Sequence, residues 1–300
     1  MNITSLWKIH LKKGLLIVLL LLCSYTLLMG GTAVDSRGVR VTVPDENVRI
    51  VSLSPGVTET LYSIGLRDEI VGISDFCNYP PDFVSLKPKM GGYSTPNLEK
   101  IQSVSPHIVL FDTIVPVHIK NQLDRLGITV FVTEPANFSQ LLNIINQFGK
   151  LFNREKEAHM LILNMKEEAG RVMNAIRTKS VAPVKTFIEI WYNPLYAAGK
   201  NTLPGDLVTM AGGKVVPDTD SDYLRLNEES LLELNPEAII LGHNTTDKAT
   251  FLEIHRNIVR VYAIRNNKIF SPDPDEFLRP GPRVIKALKE IAQFLHPEAF

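Results

Sequence analysis

The chain has 300 residues, of which 45% are hydrophobic and 21% are charged. This composition is typical of a globular protein and excludes a collagen, a coiled coil or a disordered chain. Its 32 basic and 32 acidic residues give a formal net charge of zero, so the strongly basic field that nucleic-acid binding needs is absent and we expect no nucleic-acid partner. The length suffices for one large or two medium-sized domains.

The first 33 residues differ in kind and are predicted to form a secretory signal peptide. Three lysines precede an apolar stretch over residues 14–29, and small residues typical of a cleavage site follow at 31–33. We therefore expect export to the periplasm or to the outer face of the cytoplasmic membrane. Two alternatives stay open. In the first, the apolar stretch is retained as a membrane anchor, although it is short for a transmembrane span. In the second, Cys23 is lipidated, although Leu22 stands where a lipobox has a small residue.

Predicted strands and helices alternate from residue 48 onwards. β-Branched runs bounded by Gly or Pro predict strands at 48–53, 70–73, 108–111 and 129–132, with helices between them at 58–64, 97–104 and 117–126. Asn97 is a candidate helix N-cap. This alternation is typical of βα units with mostly parallel sheets, and we assign residues 34–153 to an N-terminal α/β lobe.

One long helix is predicted in the middle of the chain. Residues 155–178 contain no proline, and their apolar residues recur at helical spacing. Such a helix is about 36 Å long, enough to connect two lobes, and we assign residues 154–181 to it. Alternation then resumes over residues 182–300, the predicted C-terminal lobe. The strands predicted there are 185–190, 238–241, 259–264 and 268–270, and the helices are 205–211, 228–234 and 282–294.

An internal repeat indicates that the two lobes are similar. Asn97, Glu99 and Pro106 recur as Asn227, Glu229 and Pro236, each at an offset of 130 residues. We therefore predict an α/β fold with two similar three-layer α/β lobes joined by one long interlobe helix. The natural ligand site of such a fold is the cleft between the lobes.

Aromatic residues concentrate in predicted loops. Trp191, the one tryptophan beyond the signal, follows a predicted strand, and loops at the carboxyl ends of strands form the ligand sites of α/β proteins. Flat aromatic faces suit a large planar macrocycle, and tyrosine hydroxyls add polar contacts. The other aromatic residues in predicted loops are Phe76, Tyr79, Tyr93, Tyr223 and Phe277.

Neither metal binding nor catalysis is indicated. No two histidines have the spacing of a zinc or iron site, and the sequence has no nucleophile elbow, P-loop or dinucleotide-binding glycine motif. We therefore expect no metal, no cofactor and no catalytic residue. Cys77 is interpreted as a packed small apolar group. The rival from another class, an enzyme on the same scaffold, would need cluster cysteines or a His–acid pair.

Three motifs resemble the periplasmic binding proteins that serve B12, siderophore and haem importers, a group with a single rigid helix between its lobes. They are residues 49–55 followed by Thr58-Glu59, Gly91-Gly92 leading into Asn97-Leu98-Glu99, and residues 279–283 before the last helix. The resemblance covers residues 48–295. It implies a binding protein that delivers its ligand to the permease of an ABC importer, with Glu99 and Glu229, one per lobe, docking onto permease arginines.

Residues 71–81, in which an aromatic residue is followed by Tyr-Pro-Pro, resemble the corrinoid-binding subgroup. The resemblance implies a corrinoid site lined by Phe76, Tyr93, Tyr196, Tyr223 and Asp275, to which the aromatic argument adds Tyr79 and Trp191. Tyr93 and Tyr223 stand where members often carry tryptophan. The alternatives are a ferric siderophore or haem receptor of the same fold, and a surface scavenger that needs no permease.

Overall fold

The computed structural model describes residues 31–112, 115–243 and 248–300. The apolar stretch of the predicted signal and Cys23 lie outside these residues. The described part opens with a short antiparallel ribbon of β1 (Thr32–Val34) and β2 (Arg40–Thr42), in which Ala33 is 3% exposed. Residues 32 and 33, which the sequence assigned to the signal, therefore belong to the first strand. Among the described residues no helix combines the length and apolarity needed to cross a membrane.

The N-terminal lobe is built on a four-stranded parallel sheet. Its strands are β3 (Ile50–Ser52), β4 (Ile70–Ile73), β5 (Ile108–Phe111) and β6 (Thr129–Val132), in the spatial order β4-β3-β5-β6. Its helices are α1 (Pro55–Ser63), α2 (Pro81–Val84), α3 (Leu98–Ser103), α4 (Val117–Arg125) and α5 (Phe138–Leu151). Every residue of β3 and β5 is buried because helices cover both faces of the sheet.

A single helix, α6 (Glu155–Lys179), leads from one lobe to the other, as the sequence predicted. Its 25 residues span about 37 Å. It packs against α5 of the N-terminal lobe and against α12 (Val284–Leu295), the last α-helix of the C-terminal lobe. Ser180 ends the helix in the left-handed conformation, with a φ of 51°.

The C-terminal lobe contains a mixed six-stranded sheet. Its strands are β7 (Val184–Tyr192), β8 (Leu195–Ala198), β9 (Gly213–Val216), β10 (Tyr223–Arg225), β11 (Ala238–Leu241) and β12 (Ile269–Phe270). The long β7 pairs in parallel with β9 and β11 and antiparallel with β8, which in turn pairs with β10. Besides α12, the lobe contains α7 (Leu203–Met210), α8 (Glu228–Leu234), α9 (Lys248–Ile254), α10 (Tyr262–Arg265) and α11 (Pro274–Phe277).

The same cap begins the repeated helices α3 and α8. Asn97 Oδ1 accepts a hydrogen bond from the Lys100 backbone N–H at 2.9 Å, and Asn227 Oδ1 accepts one from Ser230 at 2.8 Å. Each cap satisfies an N–H group that has no partner within its own helix. The repeat seen in the sequence therefore corresponds to the same local structure in both lobes.

The strand predicted at residues 259–264 is wrong. The structure has a 3₁₀ turn (Arg256–Ile258) followed by α10. Val259, Val261 and Ala263 alternate in sequence like a strand, but only Val261 and Ala263 are buried, on the inner side of the turn and helix. Asn235 Oδ1 accepts a hydrogen bond from the Tyr262 N–H at 2.8 Å, which fixes the start of α10 in a way that the local sequence does not reveal.

The lobes also contact each other directly, next to α1. The Arg283 guanidinium makes two hydrogen bonds with the Glu59 carboxylate, at 2.7 and 2.8 Å. Gly56 lies so near Pro280 that an added Cβ atom would stand 2.5 Å from the Pro280 carbonyl oxygen. Asn78 of the N-terminal lobe donates to Asp275 of the C-terminal lobe at 2.6 Å. These contacts hold one side of the cleft together.

Candidate functional site

A cavity of about 960 Å³ lies between the two lobes. This volume is near the upper end of the roughly 300–1,000 Å³ that small-molecule sites occupy, and it suits a ligand larger than an ion or an amino acid. The lining residues come from both lobes and are Tyr93, Asp112, Glu134, Pro135, Ala136, Asn201, Thr202, Leu203, Pro204, Asp222, Tyr223, Leu278 and Pro280.

The parallel sheet of the N-terminal lobe places two carboxylates in this cavity. Asp112 directly follows β5, and Glu134 comes two residues after the neighbouring β6. The carboxyl ends of parallel strands meet at one edge of a sheet, which is where α/β proteins bind ligands. Sequence reasoning missed both residues, although their position after predicted strands was a usable signal. Asp222, just before β10, supplies a third carboxylate from the other lobe.

Two of the predicted ligand residues, Tyr93 and Tyr223, line the cavity from opposite lobes. Their side chains are 46% and 59% exposed, which is unusual for large aromatic residues. Phe76 is similarly exposed, and its ring centroid lies 6.3 Å from that of Tyr93. Exposed aromatic groups gathered at one place are typical of a binding surface.

Trp191 and Tyr196 extend the aromatic surface on the C-terminal lobe. They are opposite each other in the β7–β8 pair, and Tyr223 is opposite Ala198 in the β8–β10 pair. Directly opposite residues project from the same face of a sheet, so Trp191, Tyr196 and Tyr223 share one face. Both Trp191 and Tyr196 are exposed.

Tyr79 and Asp275 take part in the contact between the lobes. The Arg283 guanidinium lies 4.4 Å from the centre of the Tyr79 ring. Asp275 accepts a hydrogen bond from Asn78 and forms an ion pair with Arg279 at 2.7 Å.

Phe277, interpreted as a loop aromatic, is in fact fully buried at the end of α11. Cys77 is buried, with its Sγ atom 3.2 Å from Thr58 Oγ1, as expected of a packed thiol.

A buried His–Glu cluster that sequence reasoning missed lies behind Trp191. His243 Nε2 is 3.0 Å from Glu189 Oε1, His255 Nε2 is 3.6 Å from Glu189 Oε2, and His255 Nδ1 is 3.0 Å from Glu228 Oε1. The Trp191 and His243 rings are 5.8 Å apart. The one usable signal was Glu189 itself, a charged residue inside an apolar strand.

Two members of this cluster, Glu189 and His255, shift each other's pKa in opposite directions. Burial raises the pKa of Glu189, but the adjacent His243 and His255 more than offset this and leave the pKa below its usual value. Burial lowers the pKa of His255, but Glu189 and Glu228 outweigh burial and raise the pKa. Within the described ranges, no group of three or more His, Cys, Asp or Glu side chains is arranged to hold a metal ion.

The polar groups of the cavity also influence each other. Burial raises the pKa of Asp112, although a hydrogen bond from the Ser54 hydroxyl opposes the effect. Partial burial of the phenol raises the pKa of Tyr223, and the negative charges of Asp222 and Glu134 raise it further. Tyr223 and Asp222 belong to the C-terminal lobe and Glu134 to the N-terminal lobe, so the two lobes act on each other electrostatically across the cavity.

A family model described as periplasmic binding protein matches residues 50–276, which is most of the chain. The chain belongs to the periplasmic binding protein family. Members of the family are solute-binding proteins, and this one is the substrate-binding component of an ABC transporter. The predicted fold, two α/β lobes joined by one long helix, is confirmed by solved structures of the same fold.

Proteins similar to this periplasmic binding protein have names that state different ligands or no ligand. YvrC of Bacillus subtilis, an uncharacterised ABC transporter substrate-binding lipoprotein, is 30% identical over 274 residues, covering 89% of this chain and 85% of YvrC. A vitamin B12-binding protein of Yersinia pestis is 24% identical over 251 residues, covering 82% and 85%. The crystal structure of a periplasmic haem-binding protein from Pseudomonas aeruginosa superimposes with a TM-score of 0.76 at 20% identity, covering 84% and 94%.

The two glutamates implied in docking lie outside the lining of the interlobe cavity. Glu99 is the second residue of α3 and Glu229 the second residue of α8, and both are exposed. A carboxylate in the first turn of a helix is favoured by the helix dipole, so neither residue needs a partner within the chain. Each lobe thus presents one exposed carboxylate at an equivalent position of the repeat.

Proposed function

We propose that this periplasmic binding protein binds a corrinoid, vitamin B12 or a close relative, in the interlobe cavity and delivers it to the permease of an ABC importer. The observation that carries the proposal is the aromatic lining of that cavity, with Tyr93 on one lobe and Tyr223 on the other. Two opposed aromatic groups can contact both faces of a large macrocycle, while their hydroxyls reach its polar edge.

The surrounding residues and one curated relative support a corrinoid. Phe76, Trp191 and Tyr196 enlarge the aromatic surface beside the cavity. The B12-binding protein of Yersinia pestis is similar over most of its length. A ferric siderophore or haem receptor is the alternative that the binding experiment below separates.

Delivery follows from the exposed pair Glu99 and Glu229. We assign them to contacts with permease arginines, each worth about 1.5–3 kcal/mol when well formed. Such contacts set orientation and association rate more than ligand affinity. Export of the chain through its N-terminal segment belongs to the same proposal, since the permease must be met outside the cytoplasmic membrane.

Isothermal titration calorimetry with cyanocobalamin, haemin and ferrioxamine B tests the ligand class. We expect submicromolar binding of cyanocobalamin, which corresponds to about −8 kcal/mol. Tyr223→Ala should weaken binding at least tenfold, because it removes one aromatic wall. Tyr262→Ala removes an exposed tyrosine of the same lobe that does not line the cavity, and it should bind like the unaltered protein. Tight binding of haemin with no heat from cyanocobalamin would reject the corrinoid assignment.

A further inference from the structure

The charge of the cavity lining is strongly one-sided. Asp112, Glu134 and Asp222 line it, and none of the described residues that line it is a lysine, arginine or histidine. Arg279 and Lys200 adjoin lining residues in the sequence, and each is already paired. Arg279 forms an ion pair with Asp275 at 2.7 Å, and Lys200 forms one with Asp218 at 2.8 Å. The charged residues that a ligand meets on the described lining of this cavity are therefore all acidic.

Of these three carboxylates, Glu134 and Asp222 remain available to form hydrogen bonds with a ligand. Both side chains are exposed, and neither has a hydrogen-bond or ion-pair partner among the described residues. Asp112 differs, because it accepts a hydrogen bond from the Ser54 hydroxyl and is more deeply buried. Glu134 comes from the N-terminal lobe and Asp222 from the C-terminal lobe, next to the aromatic residue Tyr223, so they reach the ligand volume from opposite sides.

We infer that Glu134 and Asp222 are charge-specificity residues of the ligand cavity: they accept hydrogen bonds from the periphery of a neutral or cationic chelate and exclude anionic chelates. The inference rests on the proposed function for its choice of ligand. Carboxylates accept hydrogen bonds well from amide and amine N–H groups. An ionised carboxylate on the ligand would instead face like charges, and this repulsion separates otherwise similar ligands.

The chemistry of corrinoids matches this arrangement. Their edge carries primary amide groups, which donate hydrogen bonds and are uncharged, whereas haem carries two propionates that are ionised at neutral pH. Lobes that approach each other around the ligand bring the Glu134 and Asp222 carboxylates towards its edge while Tyr93 and Tyr223 contact its faces. Aromatic residues of the cavity thus select a ligand by its shape, and the carboxylates select it by its charge.

The test compares three corrinoids that differ in charge. They are cyanocobalamin, which is neutral, aquocyanocobinamide, which is cationic, and a cyanocobalamin monocarboxylic acid in which one edge amide is replaced by a carboxylate. We expect the full-length protein to bind the acid roughly tenfold more weakly than cyanocobalamin, the size of effect that a like charge at ~6 Å produces in a partly solvated cleft. Raising the salt concentration should reduce this ratio.

The double variant Glu134→Gln/Asp222→Asn should bring the ratio close to one and weaken binding of the cation. The control Glu157→Gln/Asp68→Asn removes the same net charge at exposed positions on α6 and on the loop before β4, outside the cavity. It should leave the ratio unchanged. Normal circular dichroism and melting temperature of both variants confirm that the fold is intact.

The outcomes separate this inference from the proposed function. If cyanocobalamin binds but the ratio is the same in all three proteins, the specificity role is wrong and the corrinoid assignment stands. A second outcome is that the protein binds ferrioxamine B, a cation, and binds no corrinoid. If the anionic N-succinyl derivative of ferrioxamine B then binds poorly to the unaltered protein but well to the double variant, the specificity role stands and the corrinoid assignment fails. Tight binding of haemin, or no binding of any probe, overturns both.

Discussion

Replacing Arg283 by methionine should destabilise the protein far more than replacing its partner Glu59 by glutamine. The two side chains join the lobes through a bidentate ion pair, in which Glu59 is 4% exposed and Arg283 is 18% exposed. Arg283 has other neighbours, since it also lies 3.5 Å from Glu276 and against the Tyr79 ring. The Glu59 carboxylate has no hydrogen-bond partner other than Arg283 among the described residues.

The two substitutions therefore differ in whether they leave an unpaired charge in the buried contact. Arg283→Met leaves a buried carboxylate without a partner, which typically costs about 3–5 kcal/mol of unfolding free energy. Glu59→Gln keeps a carbonyl oxygen that accepts from Arg283 and removes the buried charge, so its cost should be roughly 1 kcal/mol. In the double variant no charge is stranded, and the loss should be smaller than that of Arg283→Met alone.

The pH dependence has a definite sign. Burial raises the pKa of Glu59 above 4.5 even though Arg283 opposes the effect, and loss of Arg283 raises it further. An acid whose folded-state pKa exceeds its unfolded value destabilises the fold only when pH rises above the unfolded value. The cost of Arg283→Met should thus be small below about pH 4.5 and grow towards neutrality.

Urea denaturation of the four proteins at pH 4 and pH 7, followed by circular dichroism, measures these differences. Equal losses for Arg283→Met and Glu59→Gln, or a double variant whose loss is the sum of the two, would refute the stranded-charge argument. So would a loss in Arg283→Met that does not change with pH.

Four further predictions concern docking, packing, the buried cluster and lobe motion. Glu99→Ala/Glu229→Ala should reduce ligand uptake by vesicles that contain the cognate importer while changing ligand affinity less than about twofold, and Lys at both positions should reduce uptake further. Normal uptake by the Ala variant would end the docking assignment. Gly56→Ala should lower the free energy of unfolding, measured by urea denaturation, by about 1–3 kcal/mol because the new Cβ would stand 2.5 Å from the Pro280 carbonyl oxygen. Gly170→Ala is the control: Gly170 has open space around it, so this change should raise the free energy of unfolding by about 0.5–1 kcal/mol. The pKa of His255 is raised in the folded protein, so its contribution to stability is present below pH 6.5 and is lost as pH rises through the folded-state pKa. The difference in melting temperature between the unaltered protein and His255→Gln should therefore be larger at pH 5.5 than at pH 8.5. The opposite trend would contradict the assignment. Small-angle scattering should detect only a modest change in the angle between the lobes on ligand binding, since one long helix resists bending more than flexible crossings do; a large compaction would argue against a rigid α6.

Secondary structure was predictable where short-range signals decide it. Strands β4, β5, β6 and β11 and helix α8 begin and end at the predicted residues, because short apolar runs between polar or turn-forming residues mark the strands and an Asn cap marks the start of the helix. The three-residue strand β10 was missed because only its pairing with β8 makes it a strand. Residues 259–264 were misassigned because a cap supplied by Asn235, far away in sequence, decides their structure.

The candidate site was predictable in part, for a similar reason. The loop positions of Phe76, Tyr93 and Tyr223 follow from the order of strands and turns, and these residues are exposed as a binding role requires. The opposition of Glu134 and Asp222 depends on how two lobes face each other, which no local pattern encodes. The Glu189, His243 and His255 cluster likewise gathers three distant segments, although a glutamate within an apolar strand marked its centre.

Because the chain passes between the lobes once, through α6, each lobe is one continuous segment. The strands of each sheet pair only within their own lobe, whereas the Glu59–Arg283 contact joins residues that are 224 positions apart. During synthesis the N-terminal lobe can therefore complete its sheet before the C-terminal lobe has emerged. Contacts between the lobes form last on such a route, so we expect weakening them to accelerate unfolding while leaving the folding rate almost unchanged.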